Sequence, residues 1–165
     1  MPATAKKFRH EEVLCQQIQL NDPLYQQERE LRNRILLRPI GIADFGWEMN
    51  DHCSAHFVAI KNQQAVGCVL LIQEQADSKQ ARLSQMAVDT PLQGEGIGQK
   101  LVHLLLNYAT EQGLERVTCH ARDNAVNFYK KLGFEVIGDP FVEVGITHYL
   151  MQVEINQALN PQHTE

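Results

Sequence analysis

The sequence predicts a single mixed α/β domain, a sheet with helices packed against it. Three observations predict it. The chain has 165 residues, 44% of them hydrophobic, which supports one core and is too little for two full-sized domains. Between residues 56 and 88, short apolar segments follow one another across polar turns, the patterning of strands. At Ile97 the period changes, and Ile97, Leu101, Leu104, Leu105 and Tyr108 recur at helical spacing.

Taken in order, residues 13–20 (VLCQQIQL) read as a first strand. Asp22-Pro23 opens a helix, Asp22 as N-cap and Pro23 in the first helical position, with Leu24, Leu31 and Ile35 on one face. Arg38-Pro39 and Gly41 end it, and residues 41–54 form a loop carrying Trp47, Asp51, His52 and Cys53. Residues 56–60 and 65–72 read as a hairpin about the polar turn Lys61-Asn62-Gln63-Gln64. A third strand, residues 82–88, is closed by Asp89-Thr90-Pro91. The helix from Ile97 stops at Gly113. Residues 117–121 read as a strand, 124–132 as a short helix stopped by Gly133, and 134–137 and 147–155 as the last strands. The order is β-α-β-β-β-α-β-α-β-β. With no repeats and no Ser/Pro linker, residues 1–165 form one domain, with polar tails at 1–10 and 157–165.

Composition excludes several functions. Fifteen Lys and Arg against twenty Asp and Glu give a net charge of −5, so a basic face for nucleic acid is not expected. No apolar run approaches the roughly 20 residues of a spanning helix, and the N-terminus lacks the apolar stretch of a signal peptide. Cys15, Cys53, Cys68 and Cys119 show no paired spacing, which reads as a reduced, cytoplasmic chain. Asp51, His52, Cys53 and His56 offer metal-ligand types, but His52 and His56 share a face only on a helix that would turn Cys53 away. No metal site is expected. Cys119 reads as core within a strand, not as a nucleophile.

The segment 86–100, MAVDTPLQGEGIGQK, carries the most information. It reads as a strand, a turn, then Gly94, Gly96 and Gly98 opening the long helix. The first N–H groups of a helix lack intrahelical partners, and the dipole adds about half a positive charge there. Glycines let a bulky phosphate approach, so this loop can cradle a diphosphate without basic side chains. Neither G-x-G-x-x-G nor G-x-x-x-x-G-K-[ST] is present, because the spacing is G-x-G-x-G and Gln99 follows Gly98.

Gln93-Gly94-Glu95-Gly96-Ile97-Gly98 resembles the Q/R-x-x-G-x-G/A signature of the GNAT superfamily of acetyl-CoA-dependent N-acetyltransferases. Downstream, residues 125–134 (AVNFYKKLGF) resemble the family's second motif, A-x-x-[LF]-Y-x-K-x-G-F. The likeness spans most of residues 55–155; the first 54 share only the strand–helix order. It implies a mixed, mostly antiparallel central sheet flanked by helices. It also implies that Met86, Ala87 and Val88 meet pantetheine and acetyl through their main chain, and that Gln93, Gly94, Glu95, Gly96, Ile97, Gly98 and Gln99 hold the pyrophosphate. Asn124, Phe128, Tyr129 and Lys131 would complete the coenzyme site. Arg122 stands where many members carry a coenzyme-contacting Asn, with Asn124 two residues later.

By the same resemblance Tyr129 protonates the departing thiolate, which a phenol of pKa about 10 can do. Residues 141–151 (FVEVGITHYLM) resemble an F-x-E-x-G-I-x-H-x-x-M segment of a bacterial subgroup, which places Glu143 and His148 on the acceptor side. Glu74, His120 and His148 are the candidate bases. The expected reaction is direct transfer of acetyl from acetyl-CoA to a primary amine of a small molecule. A non-catalytic acyl-CoA sensor and a ligand-free domain are the alternatives. No nucleic acid or membrane partner is expected, and a homodimer is the default association.

Overall fold

Seven strands form one sheet in the computed structural model, which describes residues 12–155. In chain order they are β1 (Leu14–Ile18), β2 (Ser54–Lys61), β3 (Gln64–Ile72), β4 (Gln80–Val88), β5 (Arg116–Arg122), β6 (Glu135–Glu143) and β7 (Ile146–Glu154). They lie side by side in the order β1-β2-β3-β4-β5-β7-β6. Every neighbouring pair is antiparallel except β4 and β5. Three helices, α1 (Leu24–Arg32), α2 (Ile97–Glu111) and α3 (Val126–Lys131), fall where the periodicity predicts them. The predicted tails at 1–10 and 157–165 lie outside the described residues.

The sheet is covered on both faces, which explains why β2 and β3 read as unbroken apolar runs and not as alternating ones. Phe57, Val69, Leu71, Leu83, Leu101 and Leu105 make the core between sheet and α2. Val58, Cys68 and Ala87, one step out of phase along the same strands, pack with Leu31 beneath α1. Gly67 permits the close approach of α2: a Cβ there would stand 3.1 Å from Ile97 and 3.2 Å from Leu101. Among the described residues no helix is long and apolar enough to cross a membrane.

Several boundaries move. The first strand ends at Ile18, because a turn closed by Asp22 N–H on Gln19 O draws the chain away from the sheet. Asp22 does cap: its carboxylate accepts from Leu24 N–H at 2.9 Å. The helix then runs on through a π turn, Asn33–Leu37, and a tight turn, Arg38–Ile40, to Gly41 at φ +78°. The predicted four-residue hairpin turn is only two residues long. Lys61 pairs with Gln64, and Asn62 and Gln63 both take positive φ, as a type I′ turn requires. β6 continues past the predicted end at 137 to Glu143, because a bulge over residues 138–140 lets it resume pairing at Phe141. Glu143 and Ile146 then flank Val144 (φ +47°) and Gly145 (φ +75°), a second type I′ turn. A β-branched residue at positive φ is strained, by about 1–3 kcal/mol.

Candidate active site

β4 and β5 stay paired only from Gln80–Arg116 to Leu83–Cys119, although β4 runs to Val88 and β5 to Arg122. The cause lies in β4. Its register on β3 slips between Cys68 and Leu70, and Gln85 takes φ +55°, so the strand kinks away from β5. The divergence opens a cleft of about 470 Å³. It is lined by Ser84 to Met86 and Cys119 to Arg122 from the two strands, by Trp47, Met49 and Asn50 from the loop before β2, and by Tyr129, Glu143, Val144 and His148.

Where β4 ends, the chain turns through Thr90–Leu92 into the glycine loop. Gln93 Nε2 donates to Val88 O at 2.9 Å and ties that loop to the strand. Gly94 (φ +85°) and Gly96 (φ +89°) need glycine for their backbone, and a Cβ on either would meet nothing within 4 Å. The space in front of the main chain is open. Lys100 N–H is the first to reach back into the helix, to Gly96 O, so the N–H groups of Ile97, Gly98 and Gln99 are those a helix start leaves without intrahelical partners. That donor set suits a diphosphate.

Two predicted loop residues have a different use. Ile97 is 2% exposed in the core, so only its main chain can serve a ligand. Gly98 makes room for α3: a Cβ would lie 3.1 Å from the Phe128 ring. Glu95, Gln99, Asn124 and Lys131 are exposed, Asn124 within a short turn just before α3.

Tyr129 is 6% exposed yet lines the cleft, held edge-on by Phe128 and Phe134. Burial pushes its phenol up, with Cys119 adding to the effect, so it keeps its proton. Cys119 is buried and its thiol is pushed up to about 12 by that burial, which suits packing and not nucleophilic attack.

His120, Glu143 and His148 gather at the cleft. His120 Nδ1 lies 3.3 Å from the Glu143 carboxylate, and His148 Nε2 lies 3.9 Å from its Oε1. His148 Nδ1–H donates to Ile146 O at 2.8 Å. In the neutral ring that bond places the proton on Nδ1, because a carbonyl can only accept, and makes Nε2 the acceptor. Phe141 stacks on His148 and meets His120 edge-on. Glu74 is not among them. The chain leaves the sheet at Ile72, and Glu74 sits exposed, paired at 3.2 Å with Arg82, which itself lines the cleft.

Sequence reasoning missed the ionic cluster beneath the cleft. Arg32 Nη1 donates to Glu28 and Asp51, both at 2.9 Å, and Nη2 to Asp51 at 3.0 Å. His56 Nδ1 lies 2.9 Å from Glu28, and Nε2 lies 2.8 Å from Asp51 O. Both partners of the imidazole are acceptors, so the doubly protonated ring satisfies both. Burial opposes that charge, but the Glu28 hydrogen bond and charge hold the His56 pKa above its usual value. Tyr25 donates its hydroxyl proton to Asp51. Of the metal-ligand types between residues 51 and 56, Asp51 and His56 are buried, while His52 and Cys53 are exposed. Glu28, Asp51 and His56 do converge, but the Arg32 guanidinium already occupies the two carboxylates. The one local signal in the sequence is the i,i+4 spacing of Glu28 and Arg32.

A family profile described as an acetyltransferase (GNAT) domain matches residues 39–155. The Bacillus subtilis (strain 168) protein YyaT is 34% identical over 77 residues, 47% of this chain and 52% of YyaT. Escherichia coli (strain K12) ElaA is 28% identical over 104 residues, 62% of this chain and 68% of ElaA. The chain thus spans about half the length of the Bacillus relatives it matches, 52% and 44%. The crystal structure of Escherichia coli ElaA superposes with a TM-score of 0.78 at 21% identity, over 87% of this chain and 100% of that one. A GNAT family acetyltransferase from Elizabethkingia anophelis with acetyl-CoA bound gives 0.67 at 17% identity, over 86% and 97%.

Proposed function

Because the chain belongs to the GNAT acetyltransferase family, we propose that it moves the acetyl group of acetyl-CoA directly onto a primary amine, within a ternary complex. One observation carries the reading. β4, which borders the gap to β5, runs on into the open glycine loop, and the cleft in that gap is lined by a buried phenol and a carboxylate near two imidazoles.

The residues divide the work. The N–H groups of Ile97, Gly98 and Gln99, with the helix dipole behind them, hold the coenzyme pyrophosphate. The main chain of Met86, Ala87 and Val88 meets the pantetheine arm. Nε2 of His148 takes a proton from the acceptor ammonium, and Glu143 holds that cation; His120, through Nδ1, holds Glu143 in place. The neutral amine attacks the thioester carbonyl, and a main-chain N–H near Ala87 stabilises the tetrahedral oxyanion. When the carbon–sulfur bond breaks, Tyr129 O–H gives its proton to the leaving thiolate.

The test is a panel of primary amines assayed by thiol release, with Tyr129→Phe as the variant. The variant lowers kcat about a hundredfold, the low end for a general acid, and leaves acetyl-CoA affinity unchanged. Acetyl-CoA binding without turnover on any amine would replace the enzyme by a coenzyme-binding module. An unchanged kcat in Tyr129→Phe would remove the acid role.

A further inference from the structure

Gln85 is held in a closed triangle of hydrogen bonds. Its Oε1 accepts from Arg32 Nε at 2.7 Å, and its Nε2 donates to Trp47 O at 2.9 Å. Arg32 Nη2 donates to the same carbonyl at 2.8 Å. The amide admits one orientation, since a flip would set donor against donor and acceptor against acceptor. The triangle joins two parts of the cleft that have no strand pairing between them: the left-handed kink of β4 and the loop carrying Trp47. The loop is also tied to α1, where Arg29 holds Glu48 at 2.7 and 3.0 Å, but Gln85 is its hydrogen-bonded link to β4 among the described residues. Residues 41–53 contain no strand, and positive φ at a glutamine persists only where surroundings enforce it.

We propose that Gln85 is a positioning residue for acceptor binding: it fixes the distance between the strand that presents the acetyl group and the Trp47 wall of the acceptor pocket. Arg32 orients it from the buried ionic cluster, which anchors the guanidinium through Glu28 and Asp51. Through this link the acceptor pocket keeps its width before any amine enters, and an amine too bulky for that width is refused.

The kinetic consequence rests on the acetyl-transfer reading, but the tether does not, because Trp47 is the chain's one tryptophan. Its fluorescence reports the wall directly. Gln85→Glu keeps the acceptor for Arg32 and turns a second acceptor toward Trp47 O, which breaks Gln85's own bond to the wall and leaves that carbonyl with Arg32 Nη2 alone. Gln85→Ala removes both. In both variants Trp47 becomes more open to acrylamide quenching, and the ligand-induced rise in melting temperature with acetyl-CoA stays as in wild type. With an amine that wild type acetylates, KM rises about five- to tenfold, the size of one lost hydrogen bond, while kcat changes less. A role confined to folding would lower the melting temperature and leave the quenching and the amine KM of folded protein alone. Unchanged Trp47 quenching in the folded variants overturns the proposal. So does a fall in kcat and acetyl-CoA affinity with amine KM preserved. If neither variant folds, the wild-type Gln85 side-chain amide decides: protons protected from solvent exchange support the tether, and rapid exchange overturns it. Should wild type acetylate no amine, the acetyl-transfer reading fails while the quenching result still judges the tether.

Discussion

At the glycine loop, Gly94 and Gly96 present main chain to open space, with nothing within 4 Å of a would-be Cβ. In the cleft lining, Trp47 is held by hydrogen bonds from Arg32 and Gln85, and Arg32 in turn by Glu28 and Asp51. One side is made by backbone conformation within six consecutive residues. The other is made by side chains drawn from α1, β2, β4 and the intervening loop. A backbone-built site is cheap to keep and insensitive to side-chain identity; a site built from buried charges fails as a unit when one member is lost.

The largest expected effect breaks that contrast at its densest point. Arg32→Ala leaves two buried carboxylates without their cation, which costs about 3–5 kcal/mol. Thermal or urea unfolding measures it, and a loss under 1 kcal/mol would show that the cluster does not act as a unit. The folded remainder should still gain melting temperature with acetyl-CoA, since no cluster residue belongs to the glycine loop.

Gly96→Val strikes the other side. It should abolish the acetyl-CoA-induced rise, which at a hundredfold excess over Kd amounts to about 2.7 kcal/mol. Gly113→Val is the control. Gly113 also has positive φ (+76°) and open space, but at the far end of α2, so it carries similar strain and keeps the rise. Equal loss in both would assign the effect to strain alone.

Val144→Asn sharpens the comparison with a change of the opposite sign. Asparagine tolerates the left-handed turn position that valine resists, so the variant should be stabilised by about 1 kcal/mol, read as a higher melting temperature.

The smallest effect is a slope. His56 has its folded pKa raised above the ordinary 6.5, so its contribution is complete below about pH 6.5 and is lost as pH rises through the raised value. Wild type should lose melting temperature with rising pH more steeply than His56→Gln. Parallel curves would show that the ring is neutral in the folded protein.

The same contrast explains what the sequence revealed. The glycine loop was legible because its chemistry is local: Gly94, Gly96 and the helix start are neighbours in sequence, and AVNFYKKLGF follows in register. Strand and helix order was legible because both follow from apolar spacing. His56 was not, because its partners Glu28 and Asp51 stand 28 and 5 positions away and only the fold brings them together. The surroundings of Glu74 were hidden for a related reason. Its place at a strand end said nothing of its neighbours: it lies exposed beyond β3, paired with Arg82 and away from the His120–Glu143–His148 group. Gln85 carries no sequence mark of its kink, because the register slip that makes it lies between strands.

The bulge over residues 138–140 bears on how the sheet meets the outside. β6 is a nine-residue strand at the sheet's edge, mostly exposed. A long exposed edge invites another chain to pair along it. Gly138 at φ +77° bends the strand there, and Pro140 has no N–H to offer. Continuous pairing along β6 is therefore interrupted at its middle, while the opposite edge, β1, offers only five residues. Among the described residues both edges of the sheet are thus poor templates for edge-to-edge pairing, and the exposed carboxylates of Glu135, Asp139 and Glu143 add like charge along β6.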